Sequence, residues 1–131
     1  MSSLFERVEN NAKIPKAAFN EIASELRLRM VQMQQSLRHA DFPVIVVFAG
    51  VDGAGKSESV QMLNEWMDPR WIVTRAYGKP SEEEAERPEF WRYWRDLPAK
   101  GQFGLYLSAW YSDPLIDKVY KRIGQKKLDA R

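Results

Sequence analysis

The segment VIVVFAGVDGAGKSES, residues 44–59, joins an unbroken apolar run to a turn that contains three glycines, one aspartate and one lysine. The apolar run shows no polar alternation, which is typical of a strand covered on both faces in a parallel sheet. Residues 50–57 fit the pattern G-x-x-x-x-G-K-[S/T], and they stand between an apolar strand and a predicted helix. This arrangement predicts a phosphate-binding loop.

The chemistry of such a loop assigns a role to most of its residues. Glycines let the backbone turn its N–H groups inward, and the N-terminus of the following helix adds positive potential for an anion. We therefore predict that Lys56 contacts the outer phosphates and acts in catalysis, and that Ser57 places its hydroxyl on Mg²⁺. The predicted phosphate-binding residues of the turn are Gly50, Gly53, Ala54, Gly55, Lys56 and Ser57.

Asp52 is the unusual member of the turn, because a carboxylate in an anion-binding loop repels phosphate. We expect it to have a catalytic task of its own, either as a metal ligand or as acceptor of a proton from the phosphate acceptor. The alternative is a structural role in which Asp52 caps the turn through its own backbone.

Length and composition restrict the class of protein. With 131 residues, of which 44% are hydrophobic, the chain is long enough for one compact domain. A formal net charge of +2 gives no field that would favour nucleic acid, and the lack of cysteine excludes disulfides and thiolate catalysis. The longest apolar run, residues 42–49, is far shorter than the ~20 residues of a membrane helix. We expect a soluble cytoplasmic protein that binds neither nucleic acid nor membrane.

Hydrophobic periodicity predicts the other elements. Apolar residues at helical spacing from Lys16 to about His39 predict a long amphipathic helix that packs its apolar stripe on the core. Ser81 followed by Glu84 predicts a capping box at the start of another helix. Strands are also predicted at 71–76 and 103–107, and helices at 57–67, 89–96 and 114–123.

This order of elements is typical of an α/β fold with a parallel sheet and flanking helices. We divide the chain into an N-terminal helical segment, residues 1–40, and a partial P-loop kinase-like domain, residues 41–131. Three strands are few for such a sheet, so we expect the chain to be part of a longer protein.

Four further motifs accompany the turn: YGKPSEEE at 77–84, Trp91-Arg92, LPAKG at 97–101 and Trp110-Tyr111. Together with Asp52 they resemble the polyphosphate kinase type 2 family, and more narrowly the first half of its fused members, the polyphosphate:AMP phosphotransferases. The resemblance runs from about residue 44 to residue 119. It implies a P-loop kinase fold that passes phosphoryl groups between inorganic polyphosphate and an adenine nucleotide with Mg²⁺. It also makes Arg92 a candidate phosphate-binding residue; a charge on a solvated face is the alternative.

The chain departs from the family at the end of the third predicted strand. Family members carry an acidic residue or asparagine, then Arg-Ser, before the aromatic pair, whereas this chain has Leu107-Ser108-Ala109. A carboxylate there would orient magnesium, and an arginine would neutralise charge on the transferring group, an effect worth ~10³-fold or more in rate. We therefore expect a domain that holds phosphate or nucleotide but turns over weakly by itself.

Two other functions stay open at this point. One is an active nucleotide or nucleoside kinase in which Asp52 or another acid replaces the missing strand-end group. The other is a non-catalytic interaction domain that docks a partner through its aromatic surface. The expected protein partner is the second half of a fused phosphotransferase or another copy of the chain.

Overall fold

The computed structural model describes residues 13–120, so the first twelve residues of the predicted helical segment and the predicted helix end beyond residue 120 lie outside the described residues. The strands are β1 (Val44–Phe48), β2 (Ile72–Ala76) and β3 (Phe103–Leu107). The helices are α1 (Lys16–Leu37), α2 (Lys56–Trp66), α3 (Glu82–Ala85), α4 (Trp91–Arg95) and α5 (Ser112–Val119). Every element predicted in this part of the chain is present, and each starts within two residues of its predicted position.

The three strands form one parallel sheet in the order β1-β3-β2. This confirms the predicted α/β fold with a parallel sheet and flanking helices. The prediction that β1 is covered on both faces is met only in part within the described residues, because all five of its residues are partly buried; β1 also lies at an edge of the sheet. The central strand is β3, in which Leu105 and Tyr106 are fully buried.

The hydrophobic core lies between the sheet and the C-terminal end of α1. Leu37, Met67 and Phe103 form its centre, and Met30 packs against them. Helix α1 extends well past this core, so its apolar stripe is buried only at one end. The prediction that the whole stripe packs on the core is wrong for four residues, which are at least 38% exposed: Phe19, Ile22, Leu26 and Met33.

Two contacts fix α1 against the rest of the fold. The fully buried side chain of Gln34 donates to Asp68 O at 2.9 Å and accepts from Asp68 N at 2.8 Å, which ties α1 to the segment that follows α2. Gly101, at φ 78°, lies so close to α1 that a Cβ atom there would be 3.1 Å from Arg38 O. These contacts position the C-terminal end of α1 beside the segment that follows α2 and the turn that precedes β3.

Candidate phosphate-binding site

The glycine turn, residues 50–55, connects the carboxyl end of β1 to the N-terminus of α2. Gly53 and Gly55 have φ of 79° and 82°, in the left-handed region that glycine adopts without the strain of a Cβ atom. Gly55 is also the N-cap residue of α2. The turn therefore stands where the sequence predicts it, with glycine where the backbone requires it.

The amides of this turn are largely free of backbone acceptors. Ala54 N donates to Val51 O at 3.3 Å and closes the turn. Within residues 13–120, the amides of Gly53, Gly55 and Ser57 donate to no other backbone carbonyl. Residues 52–58 line a cavity of about 390 Å³ at the N-terminus of α2, where the helix dipole favours an anion.

The side chain of Lys56 folds back over the turn. Its Nζ atom donates to Gly50 O and to Val51 O, both at 2.7 Å, and lies 4.0 Å from Asp52 Oδ1. Reaching a phosphate thus requires Lys56 to exchange carbonyl acceptors for phosphate oxygens. The carboxylate of Asp52 is fully exposed, so solvent screens it from Lys56.

The oxygen atoms needed for Mg²⁺ are present in the same cavity. Asp52 and Ser57 both line it, and Mg²⁺ is commonly held by one or two protein groups together with water and phosphate oxygens. Within the part of the chain that the structure describes, no group of three or more acidic or histidine side chains could hold a metal ion on its own. Asp52 and Ser57 therefore suit a Mg²⁺ ion that enters the cavity already bound to a phosphate ligand.

The end of β3 forms a second wall beside the turn. A cavity of about 560 Å³ is bordered by Asp52 and Lys56 on one side and by Ser108 and Ser112 on the other. Ser108 has φ 62°, and its hydroxyl lies 3.0 Å from that of Ser112. The strand end that lacks the family's acid and arginine therefore faces the turn. Sequence reasoning did not find Ser112, since no motif includes it.

Arg92 does not lie in the turn cavity. It borders a separate cavity of about 850 Å³ behind β2, which also includes Lys79 and Glu84 and reaches Ser108. The Arg92 side chain is only 9% exposed; its Nη1 donates to Gly78 O at 3.0 Å, and its Nη2 lies 3.5 Å from Glu84 Oε2. The alternative of a charge on a solvated face is thus wrong. The phosphate-binding role of Arg92 stays a prediction.

Glu84 joins this cluster to the start of α3. The predicted capping box is confirmed, with Glu84 N donating to Ser81 Oγ at 3.2 Å and Ser81 N donating to Glu84 Oε2 at 3.1 Å. That bond from the Ser81 amide, reinforced by the charges of Arg92 and Arg95, holds the pKa of the Glu84 carboxyl below its ordinary value. Glu84 is therefore a capping residue and an ion-pair partner.

Asp96 is the second carboxylate of the group of ion-paired residues that we call the cluster behind β2, namely Glu84, Arg92, Arg95 and Asp96. Burial raises the pKa of Asp96, but the hydrogen bond from Arg95 and the charges of Arg95 and Arg75 outweigh that effect, so the pKa lies below its ordinary value. Tyr77 donates to Asp96 Oδ2 at 3.4 Å, and Tyr106 donates to Asp96 O at 2.7 Å. Burial, with the nearby charge of Asp96, raises the pKa of Tyr77.

A parallel sheet that leads from its first strand through a turn with the G-x-x-x-x-G-K-S spacing into a helix N-terminus is the arrangement of a P-loop protein. The profile of the polyphosphate kinase 2 (PPK2) family matches residues 13–131. The chain belongs to this family, which confirms the resemblance drawn from its motifs.

Named relatives agree with this assignment. A polyphosphate:AMP phosphotransferase of Pseudomonas aeruginosa is 44% identical over 127 residues, which cover 96% of this chain and 26% of that protein. A GDP-polyphosphate phosphotransferase of Mycobacterium tuberculosis is 32% identical over 107 residues, which cover 82% of this chain and 36% of that protein. The chain therefore spans about a quarter to a third of the length of these relatives.

Solved structures of the family share the fold. A crystal structure described as polyphosphate kinase 2 from Pseudomonas aeruginosa superposes with a TM-score of 0.89 at 44% identity, over 97% of this chain and 28% of that one. Polyphosphate kinase 2 from Arthrobacter aurescens superposes with a TM-score of 0.84 at 22% identity, over 99% of this chain and 50% of that one, and supports the fold alone. Within residues 13–120, no helix is long and apolar enough to cross a membrane.

Proposed function

We propose that this chain is the phosphate-loop segment of a polyphosphate:nucleotide phosphotransferase, and that it binds inorganic polyphosphate or an adenine nucleotide at residues 50–57 together with Mg²⁺. The named relatives act on polyphosphate and AMP or GDP, as their names state. The chain spans 26% of the length of its relative from Pseudomonas aeruginosa. The activity and the partners of a whole enzyme are therefore part of what we propose, and not findings about this chain.

The proposal rests on the amides of the turn, several of which donate to no backbone carbonyl. Gly53, Gly55 and Ser57 keep N–H groups without a backbone acceptor at a helix N-terminus, and Lys56 stands beside them. A phosphate oxygen satisfies such donors and interacts favourably with the helix dipole. Mg²⁺ would be held by Ser57 and Asp52, and it would supply charge to neutralise the phosphate oxygens.

Weak turnover by the isolated chain is the second part of the proposal. The strand end that faces the turn offers Ser108, whose hydroxyl is neutral, while Ala109 is fully buried and has no polar side-chain atom. Neither side chain can neutralise charge on a transferring phosphoryl group as an arginine does. Asp52 and Lys56 are then the catalytic side chains that this segment itself contributes.

Calorimetric titration of the chain with ATP and with polyphosphate, each with Mg²⁺, tests the binding. The proposal predicts binding of at least one ligand, and a loss of about tenfold or more in affinity in Lys56→Ala, since a charge-assisted contact is removed. Lys100→Ala is the matched control, because this exposed lysine precedes β3 and thus lies at the opposite end of the sheet. No heat of binding for either ligand would overturn the proposal.

A transfer assay from polyphosphate to AMP separates the remaining candidates. Binding without measurable ADP formation supports a segment that holds phosphate and turns over weakly. ADP formation that disappears in Lys56→Ala and Asp52→Asn indicates an active kinase instead. Failure to bind phosphate, combined with self-association, indicates an interaction domain.

A further inference from the structure

The end of β3 carries a serine whose backbone is both strained and fixed in place. Ser108 has φ 62°, a left-handed conformation that residues other than glycine adopt at an energetic cost. Its amide donates to Phe48 O at 3.4 Å, and the carbonyl of Leu107 accepts from Tyr77 N at 3.0 Å, so both neighbouring strands hold this strand end. Residues that are held in a strained conformation in this way cluster at ligand-binding sites.

A neighbouring serine orients the hydroxyl of Ser108. Ala109 N donates to Ser112 Oγ at 3.3 Å, and the Ser112 hydroxyl donates in turn to Ser108 Oγ at 3.0 Å. Ser108 Oγ is thus an acceptor in this chain of bonds, and its own O–H donates to no other group within residues 13–120. A hydroxyl that already accepts a hydrogen bond is a stronger donor, because successive bonds polarise one another. The Ser108 O–H is therefore available to a ligand.

Ser108 lies on the border between two cavities. Together with Ser112 it borders the cavity of about 560 Å³ beside the glycine turn, which also includes Lys56. The same two serines border the cavity of about 850 Å³ behind β2, which includes Lys79 and Arg92. Both cavities contain cationic side chains, so an anionic ligand that occupies one cavity and extends toward the other passes the Ser108 hydroxyl.

We propose that Ser108 is a phosphate-binding residue, whose hydroxyl donates to an oxygen of a phosphate chain held at residues 50–57, and that Ser112 positions this hydroxyl. The phosphate chain is that of inorganic polyphosphate or of a nucleotide, which present the same oxygen atoms. The inference rests on the proposed function, because it requires a phosphate group at the turn. Serine supplies a directed donor without charge, so this role agrees with the weak turnover proposed above.

Calorimetric titrations with ATP and with tripolyphosphate, each with Mg²⁺, test the contact in Ser108→Ala and Ser108→Gly. Both variants lack the hydroxyl, so each should bind about tenfold more weakly than the wild type, the loss expected for a hydrogen bond to a charged group. Glycine relieves the left-handed strain and alanine retains it, so Ser108→Gly should unfold a few degrees above Ser108→Ala. Equal affinities with unequal melting temperatures assign the loss of affinity to the hydroxyl.

Ser36→Ala is the matched control, because it also removes one hydroxyl. Ser36 is exposed in the last turn of α1, which packs beside Gly101 at the opposite end of the sheet from the glycine turn. Its affinity for both ligands should equal that of the wild type.

A double-mutant cycle tests the positioning by Ser112. Ser112→Ala removes the donor that orients Ser108 and should lower the affinity about threefold, whereas the same change in the Ser108→Ala background should have no further effect. Ser112→Thr keeps a hydroxyl and should retain the wild-type affinity. An equal loss from Ser112→Ala in both backgrounds would show that Ser112 acts only on the structure, and it would overturn the positioning role.

The same titrations separate this inference from the proposed function. If the wild type binds and Lys56→Ala binds weakly, but both Ser108 variants bind like the wild type, the inference is overturned and the proposed function stands. If Ser108→Gly binds like the wild type and only Ser108→Ala binds weakly, affinity follows the backbone and the hydroxyl makes no contact. A wild-type chain that binds neither ligand overturns both the proposed function and this inference.

Discussion

The glycine turn and the cluster behind β2 are built in opposite ways, although both lie at the carboxyl ends of the strands. In the turn, the side chain of Asp52 is fully exposed and Val51 is 79% exposed. Behind β2, Arg92 and Asp96 are each 8% exposed and engage several partners. Apart from Lys56, whose Nζ donates to Gly50 O and Val51 O, the turn residues placed to meet a ligand are solvated, while the groups that shape the neighbouring wall are buried and held by several bonds. Substitutions of ligand-facing side chains should therefore alter binding in the first region, whereas substitutions in the second region should alter stability.

The largest expected effect is on stability, in Arg92→Met. Methionine keeps much of the apolar contact but loses the bond to Gly78 O and the ion pair with Glu84. The substitution leaves the Gly78 carbonyl without its donor and removes one of the two arginines that pair with Glu84. Because Glu84 still pairs with Arg95, we expect a loss of about 2–3 kcal/mol in the free energy of unfolding. Chemical denaturation measures this value.

Arg87→Met is the matched control, because Arg87 borders the same cavity with its side chain 53% exposed, and its loss should stay within about 0.5 kcal/mol. If Arg92→Met instead keeps wild-type stability and lowers the affinity for polyphosphate, then Arg92 is the phosphate ligand that its place in the Trp91-Arg92 motif predicts.

Gly55→Ala should have the next largest effect, again on stability. Gly55 has φ 82°, and no atom lies within 4 Å of a Cβ added there, so the substitution probes backbone strain alone. A non-glycine residue in the left-handed region costs about 1–2 kcal/mol. Gly78→Ala is the control, since its added Cβ is equally free of contacts and its φ lies outside the strained range. Equal unfolding free energies for the two variants would show that the turn is not held in this conformation.

Much of this site could be predicted from short-range signals. The β-branched run 44–48, the glycine spacing of 50–57 and the capping box of Ser81 and Glu84 each depend on neighbouring residues, and the structure confirms the elements they predict. The parallel sheet followed from the alternation of strands and helices. Such features need no knowledge of distant contacts.

Burial could not be predicted in the same way, because it depends on the order of the strands. The apolar run of β1 predicted a strand covered on both faces, but its five residues are only partly buried, and β3 rather than β1 is the buried central strand. For Arg92 the sequence left open a phosphate ligand or a solvated charge, and it did not indicate that Gly78 O and Glu84 surround the side chain. Nothing in the sequence marks Ser108 for a left-handed φ, since serine rarely adopts it.

Asp52→Asn should change phosphate affinity in opposite directions with and without Mg²⁺. Without the ion, removing a carboxylate from the turn removes repulsion, and the affinity for tripolyphosphate should rise about fivefold, which corresponds to about 1 kcal/mol for two charges near 4 Å in water. With Mg²⁺, the loss of an oxygen ligand should lower the affinity instead. Titrations in EDTA and in Mg²⁺ measure both effects. The same change of affinity in both buffers would assign Asp52 the structural role of a turn cap.

The smallest expected effect is on the pH dependence of stability, and it arises from Glu84. Its pKa lies below the ordinary 4.5, chiefly through the bond from the Ser81 amide, so the folded state favours the charged carboxylate. A depressed carboxyl pKa stabilises the fold above its unfolded value, and this stabilisation is lost as the pH falls through the folded value. Wild-type stability should therefore decrease as the pH drops below about 4.5.

Glu84→Gln should flatten that decrease, because glutamine does not titrate, whereas Glu83→Gln in the adjacent position should leave it unchanged, since Glu83 is 69% exposed and makes only a 3.9 Å contact with Arg87. Asp68 also stabilises the folded state at neutral pH, because Arg70 lowers its pKa to about 2. The stabilisation from Asp68 is lost at a lower pH than that from Glu84, and it is present in both variants. Unfolding free energies between pH 3 and pH 7 separate the two carboxyls. If Glu84→Gln loses stability in acid as steeply as the wild type, the charge of Glu84 does not contribute to the stability of the buried cluster behind β2. That cluster would then differ from the solvated turn only in its packing and its neutral hydrogen bonds.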